Sequence, residues 1–405
     1  MKHFLFLIAA AALTTTASQA QSLKVYTGHT AIVFPASAVG DMQYASNSLS
    51  IGNYDVQLSA IDSVVVDRST APTKSVVVEY NDARGAFVTL SSDVANFFDV
   101  SQVTGNHVTL VANNNLADEV NYVLTGTTTQ GSFYMDGEYK STITLNNLHI
   151  TNPDSAAICI DNGKRINVVL TDGTTNSLVD GVAGPQKACF FINGHAEFKG
   201  AGTLNITGNT KHAYASDEYT WLKPTTGTIT VTAAAGDGLH VDQYFKMDGG
   251  TLSFNSIQGD CIDVSITKDA TDEYNGQVFI NGGTLNLTVA ADDVKGLKSE
   301  SDMTIQGGTI HADVTGNGCK GFSVGGNLLI GQAEGATTAI TMNVAGTTYH
   351  KGEIDESKCR GIKVKGNYTL AGGSIKMNVT GKKAKGIAID GTYSHTGGTT
   401  NVQPE

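Results

Sequence analysis

Proline, tryptophan and charge are all scarce in this chain. Only 6 prolines and 1 tryptophan occur in 405 residues, and charged side chains make up 16%. Apolar residues still reach 40%, so the composition is that of a core-forming chain and excludes a disordered one. Basic residues number 26 against 38 acidic, a net charge of −12, which argues against nucleic acid as a partner. No apolar run is long enough to span a bilayer, so membrane insertion is not expected. Five cysteines are an odd count and cannot all pair in disulfides. No two lie close enough in sequence for a thiolate metal site. Helical periodicity is missing beyond the extreme N-terminus. So are the nucleophile elbow, the His-Glu-x-x-His pair and the phosphate-binding loop. Paired carboxylates for glycoside hydrolysis can be chosen almost anywhere among 38 acids, so no pair specifies that chemistry.

What is present begins with a secretory pattern. Lys2 and His3 precede an apolar stretch from Phe4 to Leu13, and Ser18-Gln19-Ala20 forms a small-residue cleavage site. Residues 1–20 read as a signal peptide, and the mature chain is expected to be secreted, to periplasm, cell surface or medium. Residues 21–75 read as a small N-terminal β segment without internal repeats. Three short β-branched runs mark it, the last being Ile61 to Val66.

From residue 76 onward a repeat takes over. Gly-Gly followed by Thr or Ser occurs at Gly249-Gly250, Gly282-Gly283, Gly307-Gly308, Gly372-Gly373 and Gly397-Gly398. A second landmark, Gly296, Gly321, Gly361 and Gly386, follows Lys295, Lys320, Arg360 and Lys385. The steps 321 − 296, 386 − 361, 307 − 282 and 397 − 372 all equal 25. A fixed period of that length means one structural unit stacked on copies of itself. Three short strands per period, with glycine at the corners, specify an all-β right-handed parallel β-helix, a solenoid of about 25-residue coils over residues 76–405. A propeller blade needs about forty residues, so that rival is disfavoured. Leu297, Val324, Ile362 and Ile387 are the expected inward ladder, and the cysteines are expected in the core. A Cys319–Cys359 crosslink between coils is the alternative. Wider spacings place inserted loops at Thr267–Asn275 and Gly331–Asp355.

The position before the corner glycine carries the chemistry. Coil by coil it reads His212, Asp237, Asp260, Lys295, Lys320, Arg360, Lys385. Neighbouring coils stand about 4.8 Å apart, so like charges in this column repel and need an offset. For the acidic stretch that offset is expected to be Ca2+ held by Asp217, Asp237, Asp260, Asp292 and Asp293, oxygen ligands suited to a hard cation. Asp263 is expected on the same strand face as Asp260. The alternative is a set of solvated corner residues. For the basic stretch, a uronic-acid polymer laid along Lys295, Lys320, Arg360 and Lys385 supplies the countercharge; pairing with nearby acids such as Glu300 is the alternative. His212 and His240 read as satisfied polar residues. Trp221 is a possible sugar-stacking platform or a plug at a coil end.

Tyr122-Val123-Leu124-Thr125-Gly126, Asn146 to Asn152, Ala157-Ile158 and the stretch from Gly202 to Asp237-Gly238 resemble a bacterial carbohydrate-binding β-helix family. The resemblance covers roughly residues 75–405. It implies an exported protein with a pectate-lyase-like fold, in a family whose members bind plant cell-wall polysaccharide and Ca2+. The family's Asp-Gly-Ile corners match Asp237-Gly238-Leu239 and Asp260-Cys261-Ile262, but base replaces acid at the four later corners. The expected function is therefore polysaccharide binding with calcium assistance, the glycan being acidic or of plant-wall type and the protein a monomer. Two alternatives stay open. One is a polysaccharide lyase with Lys295 as proton acceptor; the other is an adhesin-like surface protein whose repeats act as a spacer.

Overall fold

The computed structural model describes residues 22–404 apart from 100–102, 114 and 353. The expected signal segment lies outside the described residues. Within them the chain is all-β, with three short 3-10 turns and no α-helix.

Two sheets, of 21 and 13 strands, carry nearly all of it. From residue 120 onward the described strands of these two sheets pair parallel with one another. Leu239 stands opposite Ile262, Ile262 opposite Leu297, Leu297 opposite Phe322, Phe322 opposite Ile362, and Ile362 opposite Ile387. Residues sharing a register position share a face, so this set forms one apolar column. Leu297, Phe322 and Ile362 are fully buried, as is Val324 within 1%; Ile387, in the last coil, stays half-buried. Burying each such side chain contributes about 1.5–3 kcal/mol.

A coil gives one short strand to the smaller sheet and a longer course to the larger one. Lys295–Ser299 followed by Met303–Val314 is an example. The three strands expected per coil are distinct at Leu239–Asp242, Tyr244–Met247 and Thr251–Ile257. In later coils the second and third fuse into single bent strands, such as Gln277–Val289 and Tyr368–Val379. The Gly-Gly doublet is the bend. Its second glycine has φ of +86° at Gly283 and +88° at Gly308, a region L-residues avoid. Its first admits no side chain, because a Cβ on Gly307 would lie 2.0 Å from the Asn281 carbonyl of the coil beneath. The corner glycine obeys the same constraint, since a Cβ on Gly296 would lie 2.7 Å from the Gly321 carbonyl.

One sequence expectation changes. Residues 331–355 are not a single inserted loop: Thr338–Val344 is a strand of the large sheet, and the stretches on either side of it, the later one with the hairpin Tyr349–Lys351 and Asp355–Ser357, stand outside. The alternation in Thr-Ala-Ile-Thr-Met-Asn-Val is strand-like and buries Ile340 and Met342. The N-terminal segment is also continuous with the large sheet. Ser22–Thr27 pairs antiparallel with Thr30–Pro35 and Ser63–Asp67, and Thr30–Pro35 runs parallel to Phe87–Ser91. The five cysteines are unpaired thiols. Cys319 donates to the Ala291 carbonyl at 2.9 Å, and burial pushes its thiol up to about 11.

Candidate functional site

The corner column read from the sequence exists as a register ladder. Lys295 pairs with Lys320, Lys320 with Arg360, and Arg360 with Lys385. Upstream, the pairings of Tyr214 with Leu239 and Leu239 with Ile262 align His212, Asp237 and Asp260. The acidic side chains hold the coils together here. Asp237 Oδ1 accepts the Asp260 amide at 2.8 Å, and Asp260 Oδ1 accepts the Lys295 amide at 2.8 Å.

A second column lies three residues further along each coil. His240 stands opposite Asp263, and Asp263 opposite Lys298. The two columns converge on one half-buried cluster. Carboxylate oxygens of Asp237, Asp260 and Asp263 lie within 4.8 Å of one another, and Asp237 forms a second such group with His212 and His240. The two imidazoles stack, with centroids 4.5 Å apart and planes 13° from parallel.

The cluster's protonation follows from these neighbours. Burial works to raise the Asp237 carboxyl, but hydrogen bonding and charge from the flanking His212 and His240 imidazoles outweigh it and hold the group well below the usual carboxylate range. His212 Nδ1 is 3.0 Å from the Asp237 amide and 3.2 Å from Asp237 Oδ2. One ring nitrogen cannot both accept from the amide and donate to the carboxylate. The shorter contact makes it the acceptor, so His240 Nδ1, at 3.1 Å, is the donor to Asp237 Oδ2. Hydrogen bonds to Asp237 and Asp263 raise the His240 imidazole to about 9 against the pull of burial. Asp263 is held low in spite of burial, by His240 and by Lys298, whose Nζ is 2.7 Å from Oδ1. That ionic contact is the partner of Oδ1 among the described residues. Asp260 behaves differently. Burial pushes it up to about 6, only partly offset by the Lys295 ammonium 4.0 Å away.

Of the five carboxylates expected around one cation, the structure brings together Asp237 and Asp260. Among the described residues, their third carboxylate partner is Asp263, and the other three expected acids are engaged elsewhere. Asp217 pairs with Lys187 at 2.6 Å. Asp292 accepts the Asn317 amide at 2.8 Å, and Asp293 lies 3.6 Å from Lys320 Nζ. Sequence reading had passed over His240 as a partner. The signal was the repeated three-residue offset in Asp237/His240, Asp260/Asp263 and Lys295/Lys298.

The basic column turns inward on its own coils. Lys295 Nζ donates to the Asp293 carbonyl at 2.7 Å and Lys320 Nζ to the Gly318 carbonyl at 2.8 Å. Arg360 Nη1 donates to the Cys359 carbonyl at 2.6 Å; Lys385 is exposed. Each of the three engaged cations thus spends a donor on a backbone carbonyl at a corner, two of which also accept from Ser357 Oγ or the Lys385 amide. Trp221 lies on a short strand, Thr220–Leu222, not on a loop. Its Nε1 donates to Asp248 at 2.7 Å, and the ammoniums of Lys223 and Lys246 sit 2.9 and 4.1 Å from the ring centroid. The ring is occupied by a cation–π contact.

Comparison with known proteins agrees with this architecture. A polysaccharide lyase-like protein from C. thermocellum, solved as a gadolinium derivative, superposes with a TM-score of 0.51 at 24% identity. The match covers 65% of this chain and 97% of that one, and shows a shared fold. A carbohydrate-binding domain-containing protein of Acetivibrio thermocellus is 30% identical over 122 residues, 28% of this chain. The match spans 42% of that relative's length. Residues 104–404, most of the chain, match the family described as carbohydrate-binding domain-containing protein. The chain is a member of that family.

Proposed function

We propose that this chain is an exported, right-handed parallel β-helix that binds polysaccharide, with Ca2+ held at the Asp237–Asp260–Asp263 corner. The observation that carries the reading is the convergence of three carboxylates within 4.8 Å of one another on a half-buried corner. Family membership supports a polysaccharide as the partner. The donor set fits a hard cation: three carboxylates whose oxygens lie within 4.8 Å of one another. When bound, Ca2+ would offer open coordination positions to carboxylate or hydroxyl oxygens of a glycan, which favours an acidic, plant-wall type of polymer. His240 and Lys298 neutralise the same carboxylates in the cation's absence, which keeps the corner folded.

Binding without turnover is the reading we favour. Lys295, the residue a lyase would use as proton acceptor, has its ammonium bonded to the Asp293 carbonyl. The basic column contributes positive field along the stack, with Lys385 the member free to reach a polymer. Calcium titration by calorimetry tests the site. One saturable site is expected in the wild type, lost in Asp263→Asn and Asp237→Asn and retained in Asp217→Asn and Asp292→Asn. Retention in the first two, or loss in the last two, sinks the assignment.

A further inference from the structure

A second concavity lies at the N-terminal end, outside the residues matched by the family. It has a volume of about 500 Å³ and is lined by Tyr26, His29, Glu79, Asn81, Arg84 and Phe87, among others. That volume falls inside the range of roughly 300–1,000 Å³ typical of small-molecule sites.

Sheet register builds it. Tyr26 stands opposite Ala31, Ala31 opposite Thr89, and Glu79 opposite Phe87. Tyr26, Phe87 and Thr89 thus share one face of the sheet above the fully buried Ala31, and all three line the concavity. The half-buried rings of Tyr26 and Phe87 stand 6.0 Å apart with planes 39° from parallel. Gly85 keeps the trough open. It has φ of +81°, and a Cβ there would lie 3.5 Å from His29 Cε1 and 3.0 Å from the Gly105 carbonyl.

The rim is polar and its charges cancel. Arg84 Nη2 reaches Glu79 Oε1 at 3.4 Å, both side chains being mostly exposed. Asn81 Oδ1 accepts the amides of Ala83 and Arg84. Its NH2 group, the Tyr26 hydroxyl and the His29 ring have no hydrogen-bond partner among the described residues. Two aromatic surfaces suit the C–H face of a pyranose ring, and the unfilled donors and acceptors suit its hydroxyls. An anionic sugar would bring its carboxylate against Glu79 with Arg84 already engaged.

We infer that this cradle is a second glycan subsite, selective for a neutral pyranose unit. The choice of ligand class rests on the carbohydrate-binding reading above; the site itself does not involve the calcium corner. Two separate subsites on one rigid stack would hold a polymer by avidity.

The test is calorimetric titration of the full mature chain, with EDTA present, using cellohexaose, xylohexaose and trigalacturonate as probes. One of the neutral hexasaccharides is expected to bind, with trigalacturonate at least tenfold weaker. Phe87→Ala and Arg84→Ala should each weaken that binding at least fivefold, and Asp263→Asn should leave it unchanged. Thermal unfolding of each variant checks folding. Should Phe87→Ala fail to fold, the exposed Arg84→Ala decides. Wild-type affinity in Arg84→Ala, or no binding of either hexasaccharide in EDTA, overturns the cradle. If calcium-dependent polygalacturonate binding survives that result, the proposed function stands without it; if no glycan binds under any condition, both fall.

Discussion

The charge on His240 should make this protein lose stability between neutral and alkaline pH. The imidazole donates to Asp237 at 3.1 Å and faces Asp263 at 3.4 Å, which raises it from 6.5 to about 9. At about 1.36 kcal/mol per pH unit that rise corresponds to about 3 kcal/mol. The side chain keeps 32% of its surface, and solvent screening reduces the figure to about 2 kcal/mol. The sign follows from linkage. Below pH 6.5 the imidazole is protonated in folded and unfolded chains alike, and the stabilisation is complete; it is lost as pH rises through about 9. His240→Asn places an amide NH2 near the Nδ1 position and keeps a neutral hydrogen bond while removing the charge. Urea unfolding of wild type and variant, with chelator, from pH 6 to pH 10 is the assay. The wild type should exceed the variant by about 2 kcal/mol at pH 6, and the gap should close by pH 10. A gap constant over that range would refute the argument, because a packing effect does not titrate.

Other consequences are as direct. Calcium affinity should fall on acidification below about pH 6, because Asp260 must lose its proton to bind a cation and burial holds it at about 6; calorimetry at pH 5 and pH 7.5 measures this. Gly307→Ala should destabilise by about 2 kcal/mol or more, since its Cβ would meet the Asn281 carbonyl at 2.0 Å; a denaturation midpoint close to wild type would contradict it. Cys189, Cys261, Cys319 and Cys359 are buried, and burial raises their thiols. They should therefore resist iodoacetamide in the native protein and react in denaturant, as mass spectrometry would show.

Much of the fold was legible because regularly spaced glycine landmarks mark the register of parallel strands in the sequence. The 25-residue spacing of Gly296 and Gly321 reappears as the pairing of Lys295 with Lys320, and the whole corner column follows from it. The doublets were legible as landmarks, but the fused strands were not. The strand Thr338–Val344 was hidden because its coil lacks the doublet.

The site was legible only in part. Position in a column predicts which residues are neighbours along the stack, and it placed Asp237 beside Asp260. It does not say which side chains of one coil turn toward each other, so Asp292 and Asp293 were grouped with them although they serve the next coils. Nor does a row of cations reveal whether it faces a polymer or its own carbonyls. Lys295 and Lys320 do the latter. The N-terminal cradle was invisible, since Tyr26 and Phe87 are far apart in sequence and meet only through Ala31 and Thr89.

Co-sedimentation of the protein with polygalacturonate, with Ca2+ and then with chelator, tests the central claim most directly. The account predicts that the protein pellets with the polymer in Ca2+, is released by chelator, and fails to pellet when Asp263 is replaced by Asn. Binding that ignores both chelator and the Asp263→Asn change would contradict it and assign the contact to the basic side chains.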